Sequence, residues 1–335
     1  MSALRALASS LGLSPTTVSR ALDGYGDVAA KTRQRVHLAA DAAGYRPNAA
    51  ARRLRRGAPE MVSLVLPTEP GHFNEPLYIE LLAAMGGHLA GQGFDLTLIA
   101  APPGPDEIKT YRRLVEGRRA DGIVVVRTRR QDPRIDYLGR IGFPFVVMGR
   151  TEMPLPYAFV DGDGELAFLE ATQRLLRLGH RRIAHIAAPA AFTFAHLRRR
   201  GYERAMRQAG LAPVIAEATA DERGGLAGAR DILGAREPPT ALLCATDLMA
   251  FGALKAARER GLAVPADLSV IGHDNIPMSA YSDPPLTTME LPIEATGRRL
   301  AEMILARIGG AGPEGMQEIL AVRPTERGST ARPRD

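Results

Sequence analysis

The sequence predicts two folds in one chain, a small all-α helix-turn-helix headpiece followed by an α/β body of two lobes with parallel sheets. Three observations carry this. The 335 residues exceed what one hydrophobic core ordinarily serves. The net charge of +6 is concentrated at one end: residues 1–57 hold ten lysines and arginines against three aspartates, whereas residues 58–335 hold 33 basic and 34 acidic side chains. Near Met61 the apolar pattern also changes, from helical stripes to short apolar runs alternating with amphipathic stretches. A basic module on a near-neutral body is the charge pattern of a polyanion-binding unit attached to an ordinary globular domain.

In the headpiece, Leu4, Leu7, Ala8 and Leu11 stand at the i, i+3, i+4, i+7 spacing of a helix with one buried stripe, and Gly12 breaks it. Ser14-Pro15 is a helix-start pair, with the hydroxyl as cap and proline at the first helical position. Val18 and Leu22 give this second helix its apolar face, and it ends near Asp23-Gly24. A third helix starts at about Ala30, turns Val36, Ala39, Ala40 and Ala43 inward, and stops at Gly44. Residues 1–46 form this unit. Residues 47–59 follow as a hinge and linker, in which Asn48 caps a short Ala/Arg-rich segment whose one large apolar side chain is Leu54. So short a helix is marginal alone in water, and its order depends on a partner.

The body, residues 60–335, reads as strands at 61–66, 95–100, 122–127, 143–148, 183–188, 240–245 and 268–273. Helices fall at about 77–92, 106–117, 164–178, 195–209, 225–234, 247–260 and 293–307. Alternation of this kind makes parallel sheets covered by helices on both faces. One lobe covers about 60–160, a second about 161–290, and residues 291–322 return to the first with a strand near 318–322. Ligands of open α/β sheets bind beyond the carboxyl ends of the strands, which places a pocket between the lobes.

Several function classes are set aside by the same reading. Cys244, the sole cysteine, sits in an apolar run and reads as a core residue. No Gly-x-Ser-x-Gly, His-Glu-x-x-His or phosphate-loop motif occurs, so no enzyme, metal or cofactor is expected. His180, after Leu178-Gly179 at a helix end, is assigned a structural task. The amino terminus reads as an amphipathic helix instead of a leader segment, and no stretch approaches ~18 uninterrupted apolar residues, so a cytoplasmic protein without membrane contact is expected. A transport-type sugar-binding protein would share the two-lobed body, but the basic headpiece argues against it.

The second helix is the most informative element. Ser14-Pro15-Thr16-Thr17-Val18-Ser19-Arg20 places short hydroxyls and a forked cation opposite Val18 and Leu22. Major-groove readout uses such a face, with a helix amino terminus near phosphate, small side chains for close approach, and an arginine able to pair bidentately with guanine.

With Lys31-Thr32-Arg33-Gln34-Arg35-Val36, Gly44-Tyr45-Arg46-Pro47-Asn48 and Ala51-Arg52-Arg53-Leu54, these residues resemble the headpiece of the LacI/GalR family of bacterial repressors. The resemblance continues through Leu178-Gly179-His180-Arg181-Arg182-Ile183, Arg198 to Tyr202, Thr246-Asp247, Ser269 to Asn275 and Pro285-Leu286-Thr287-Thr288. It implies a body like that of the periplasmic binding proteins, and a homodimer, or a pair of dimers, on a pseudo-palindromic double-stranded operator. It further implies that Pro15, Thr16 and Arg20 face base edges while Ser14, Thr17 and Ser19 approach phosphates. Asn48, Arg52 and Leu54 then belong to a hinge helix, with Leu54 a wedge in the minor groove between arginine clamps. The effector, a sugar on this reading, is met by Asp163, Arg198, Thr246, Asp247 and Asp274, with Phe73, Tyr78 and Phe192 as aromatic walls. Where the family often carries asparagine, this chain has Thr246.

Overall fold

The computed structural model describes residues 3–23, 25–45, 60–68 and 76–334, which fall into two compact units, Met1–Glu60 and Met61–Asp335. The first contains helices α1 (Ala3–Leu11), α2 (Pro15–Leu22) and α3 (Ala30–Ala42). Their apolar stripes close on one small core of Leu7, Ala8, Val18, Ala21, Val28, Val36 and Ala40. Gly12 and Gly44 take φ near +60°, the left-handed conformation that ends α1 and α3 without a Cβ clash. Ser14 caps α2 by accepting the Thr17 amide at 3.0 Å, and Pro15 occupies the first turn.

The second unit holds two six-stranded sheets. The first lobe contains β1 (Met61–Pro67), α4 (Pro76–Gly91), β2 (Asp95–Ala101), α5 (Glu107–Glu116), β3 (Gly122–Val125), α6 (Pro133–Arg140), β4 (Phe145–Met148) and β5 (Ala158–Gly162). The second contains α7 (Gly164–Arg177), β6 (Ile183–Ala187), α8 (Thr193–Gln208), β7 (Val214–Glu217), α9 (Glu222–Leu233), β8 (Ala241–Cys244), α10 (Asp247–Glu259), β9 (Ser269–His273) and β10 (Thr287–Glu290). Helix α11 (Ile293–Ile308) and β11 (Gln317–Leu320) return to the first lobe, and β12 (Arg323–Thr325) crosses back. The sheet orders are β11-β5-β4-β3-β1-β2 and β12-β10-β9-β8-β6-β7, parallel throughout except for the antiparallel β10–β12 pair. Strands β1, β3, β6 and β8 are buried almost end to end, as parallel strands covered on both faces must be, and Cys244 lies in that core.

Periodicity did not predict α6, β5, β7, β10 or β12. Each strand among them is three to five residues long and has a polar residue in one of its last two positions. In β10 both threonines are buried because their polar groups are paired, Thr288 donating to Asp247 at 2.6 Å and the Thr287 amide donating to Ser329 at 2.8 Å. The stretch after residue 322, which the sequence reading placed in neither lobe, is built into the second. The Val270 amide donates to the Ser329 carbonyl at 2.8 Å, Ser329 Oγ donates to the Val270 carbonyl at 2.6 Å, and His180 bridges Thr240 and the Ala331 carbonyl at 2.9 Å each.

Helices α9 and α10 approach closely enough to require glycine. A Cβ at Gly252 would lie 2.2 Å from the Glu222 carbonyl oxygen, and one at Gly225 would lie 2.1 Å from that of Met249. Backbone atoms cannot yield as a flexible side chain does, so the helices must separate. Gly252→Ala is therefore expected to cost about 1–3 kcal/mol and to lower the melting temperature of the body. In the same thermal denaturation series Gly87→Ala, at an exposed position of α4 with nothing within 4 Å of the added carbon, should be neutral or stabilising.

Candidate nucleic-acid interface and ligand cavity

In the amino-terminal unit, burying Val18 and Ala21 turns Ser14, Pro15, Thr16 and Arg20 to solvent, with Thr17 half-buried. The amino-terminal end of α2 presents two exposed or half-buried hydroxyls, those of Ser14 and Thr17, 2.8 Å apart. Arg20 lies at the other end of the same face. Its guanidinium pairs with Asp27 and lies 5.0 Å from the centre of the Tyr25 ring. Ser19 departs from the sequence expectation of a phosphate-facing hydroxyl, because it is buried at 6 % exposure and donates to Asp23 at 3.3 Å. At i+1 from Val18 and i−2 from Ala21 it sits on the rim of the core stripe. Asn48, Arg52, Leu54 and Phe73 lie outside the described residues.

In the second unit, a cavity of about 760 Å³ opens beyond the carboxyl ends of the strands, between the two sheets. Its polar wall on the second lobe is centred on Arg198, which is 8 % exposed. The guanidinium donates to the Ala245 carbonyl just beyond β8, lies 3.4 Å from Asp274, and stacks 4.9 Å from the Phe194 ring centre. Asp274 and Asn275 take φ of 110° and 53°, a conformation that costs non-glycine residues and persists only where surroundings impose it. Here the Asp274 amide donates to Met289, the Ile276 amide donates to Asp247 Oδ2 at 3.0 Å, and Arg327 donates to Asn275 at 2.7 Å. His273 Nδ1 lies 2.8 Å from Asp274. A carboxylate only accepts, so Nδ1 carries the proton. Burial, then the Arg198 charge, holds this imidazole neutral, with its pKa down to about 4.

The first lobe supplies Arg127, Arg150, Asp161 and Tyr78. Arg127 takes φ 52°, and its carbonyl receives Arg134 Nη2 at 2.9 Å. Arg134 is fully buried and is itself held by Asp132 and Glu107. Burial and then the Arg134 charge lower the Arg127 pKa to about 10. Arg150 donates to Asp161 at 2.7 Å, and burial raises the Asp161 carboxyl despite this partner. Among the described residues that line the cavity, Arg150 Nη2, Arg198 Nε and His273 Nε2 are buried without a hydrogen-bond partner. Forked donors, carboxylates and flat apolar rings around one space are the groups that hold a hydroxyl-rich ligand.

Of the sequence-predicted residues, Arg198, Asp274, Thr246, Tyr78 and Phe192 meet at this cavity. Asp163 and Asp247 do not line it. Asp163 caps α7, accepting the Leu166 amide at 3.1 Å, and Asp247 is fully buried behind the wall, where it accepts from Ile276 and Thr288. Thr246, not Asp247, caps α10, through the Met249 amide at 3.2 Å. Periodicity alone missed Arg127, Arg150, Asp161 and Phe194. The first three follow directly on, or close, a strand end facing the cleft, so the rule of carboxyl-end binding was the signal available for them.

Residues 4–48 match the bacterial regulatory proteins of the lacI family, and residues 172–330 match the periplasmic binding protein-like domain. The HTH-type transcriptional regulator AglR of Rhizobium meliloti (strain 1021) is 39 % identical, the match covering 98 % of this chain and 94 % of that protein. RafR of Escherichia coli, also an HTH-type transcriptional regulator, is 36 % identical over 94 % of each. Among solved structures, the complex of the transcriptional regulator CelR with cellobiose superposes with a TM-score of 0.76 at 29 % identity, covering 98 % of this chain and 100 % of that one. The lac repressor dimer bound to operator and the anti-inducer ONPF gives 0.85 at 25 % identity, covering 97 % and 98 %.

The buried Asp247 makes a testable demand on pH. Burial, then repulsion from Asp274, raises its carboxyl from an ordinary 3.8 to about 8. The folded state thus favours the neutral acid. The stabilisation this gives is complete below the unfolded pKa and is lost as pH rises through about 8. His185 and His273, both held near 4 by burial, act in the opposite sense, but only below their unfolded value of 6.5. Between pH 6.5 and 8.5 the melting temperature should therefore fall, and Asp247→Asn, uncharged and of similar shape, should flatten that fall.

Proposed function

This chain belongs to the lacI family of bacterial regulatory proteins, and we propose that it is a transcriptional repressor whose operator affinity is set by a sugar bound between the two lobes. The reading rests on one observation above others, the Arg198 fork held by the Ala245 carbonyl and Asp274 over the Phe194 ring, at the wall of a cavity near 760 Å³. A guanidinium and a carboxylate side by side offer a sugar the paired donors and acceptors its vicinal hydroxyls need, and a flat ring covers the apolar face of the pyranose. The space exceeds what one pyranose fills, which favours an oligosaccharide. The cellobiose complex of CelR, of the same architecture, supports that choice.

On this proposal the protein acts as a homodimer on a pseudo-palindromic operator. Helix α2 enters the major groove, where Arg20 reads a guanine, Pro15 and Thr16 border the base edges, and Ser14 and Thr17 anchor phosphate. Asn48, Arg52 and Leu54 of the hinge then engage the minor groove, with Leu54 as the wedge. Sugar and operator must each change the other's affinity by the same factor, since binding free energies are linked reciprocally.

The full-length protein should retard operator-bearing promoter DNA more strongly than random DNA at matched salt, and its melting temperature should rise with cellobiose, maltose or a trisaccharide in a thermal-shift screen. Arg198→Lys keeps the charge but loses the fork, so the effective sugar should bind at least about tenfold more weakly while operator binding persists. Equal retardation of random DNA would overturn the DNA-binding half of the proposal, and undiminished sugar affinity in Arg198→Lys would overturn the assignment of the pocket.

A further inference from the structure

Asp27 is out of place on a face that is to meet phosphates. Of the three aspartates before residue 57, Asp23 accepts from Ser19 on the core side and Asp41 lies at the far end of α3. Asp27 pairs with the residue expected to read bases, accepting from Arg20 Nη2. Both side chains are about half exposed, at 45 % and 53 %, and an ion pair so wet adds next to nothing to folding. Its reason lies elsewhere.

Tyr25 completes the arrangement, its ring 5.0 Å from the Arg20 guanidinium carbon. The loop carrying both partners is tied down at several points. The Tyr25 amide donates to the Arg20 carbonyl at 3.0 Å, the Tyr25 carbonyl accepts Arg33 Nη1 at 3.3 Å and the Val28 amide at 3.3 Å, and the Val28 side chain is sunk in the core. The loop backbone is therefore held beside α2 and carries the carboxylate and the ring against the Arg20 side chain, which narrows the rotamers that side chain samples. A guanidinium has five N–H donors. Asp27 engages one nitrogen, which leaves ample donors for a bidentate contact with guanine O6 and N7.

We propose that Asp27 and Tyr25 form a buttress that presets Arg20 for base readout, which makes Asp27 a specificity-determining positioning residue. The inference rests on the DNA-reading role of α2 proposed above. The buttress spends little stability and reduces the side-chain ordering that binding would otherwise require. Its carboxylate also repels phosphate wherever Arg20 has no guanine to engage. Affinity for arbitrary DNA is thereby lowered while the matched site is retained, so the residue acts on the ratio of the two.

The test starts from in vitro selection of a binding site with full-length wild-type protein. Dissociation constants are then measured at fixed salt for wild type, Asp27→Asn, Arg20→Lys and the double variant. The DNAs are the selected site, the site with each guanine replaced in turn, and random DNA. Asp27→Asn should lose about tenfold of the discrimination at one guanine of each half-site. Its binding to random DNA should be unchanged or tighter, since an anion facing phosphate has gone. The double variant should discriminate no worse than Arg20→Lys alone. A purely structural role for Asp27 would instead weaken binding to every DNA alike, and that result, or intact guanine discrimination in Asp27→Asn, overturns the inference. A wild-type selection that enriches no sequence overturns the DNA-reading proposal itself.

Discussion

Asp247 accepts hydrogen bonds from the Ile276 amide and the Thr288 hydroxyl, and the polar wall of the ligand cavity depends on that buried carboxyl. The first contact pins the chain just after Asp274 and Asn275, in the left-handed turn that neither would adopt freely. The turn aims Asp274 at Arg198 and His273. The second contact reaches across to β10, so α10 and two strands of the second sheet are referenced to one group. Even the neighbouring backbone is shaped around it: a Cβ at Gly272 would lie 2.2 Å from Asp247 Oδ1. Arg127 is held by parallel means in the first lobe, where a buried arginine donates to its carbonyl. Each half of the cavity thus presents a polar side chain from a strained strand end locked by a buried ionisable group behind it, as preorganised binding sites require.

The legible parts of this molecule were those where a single period or cap decides the outcome. The three headpiece helices follow from i, i+3, i+4, i+7 spacing, the Ser14-Pro15 start and two glycine stops, all local signals. The long buried strands follow from runs of Val, Ile and Leu. Strands β7 and β10 were hidden because their place in the sheet is decided by neighbours: β10 is half threonine, and only the partners waiting in Asp247 and Ser329 make it fit for burial. The tail after residue 322 has no apolar pattern, and Ser329 is buried by backbone pairing with Val270.

The same distinction runs through the site residues. Arg198 and Asp274 were readable through a resemblance carried by motifs around them. Asp247 shares those motifs and Asp163 was carried over with them as the residue before a helix, but neither placement distinguishes a carboxylate that faces the ligand from one that faces the backbone. One caps a helix and the other supports a turn. Ser19 shows the limit within a helix, where a position at the edge of the apolar stripe turns inward once its hydroxyl finds Asp23. The pairing of Arg20 with Asp27 spans a loop, and no periodicity covers it.

The lobes meet not only where strands cross between them. The Arg130 amide donates to the Ala191 carbonyl at 3.1 Å and the Thr193 amide to the Thr128 carbonyl at 2.9 Å, with Arg129 and Phe192 forming a bridge between them. Helix α8 has no side-chain cap of its own, so a first-turn amide of the helix that carries Arg198 is satisfied by backbone from the opposite lobe. Changing the angle between lobes must break or bend these bonds and alter the end of α8, five residues from Arg198. A ligand shifts such an equilibrium only by the difference in its contacts with the two states. Arg198 and Asp274 on one lobe and Arg127, Arg150 and Asp161 on the other can supply that difference, because a single bound molecule touching both sets is sensitive to their separation. What the clasp at 128–130 contributes is the opposing term. On the proposed function, the balance between the two sets how strongly a bound sugar must favour one angle between the lobes over another before operator affinity changes.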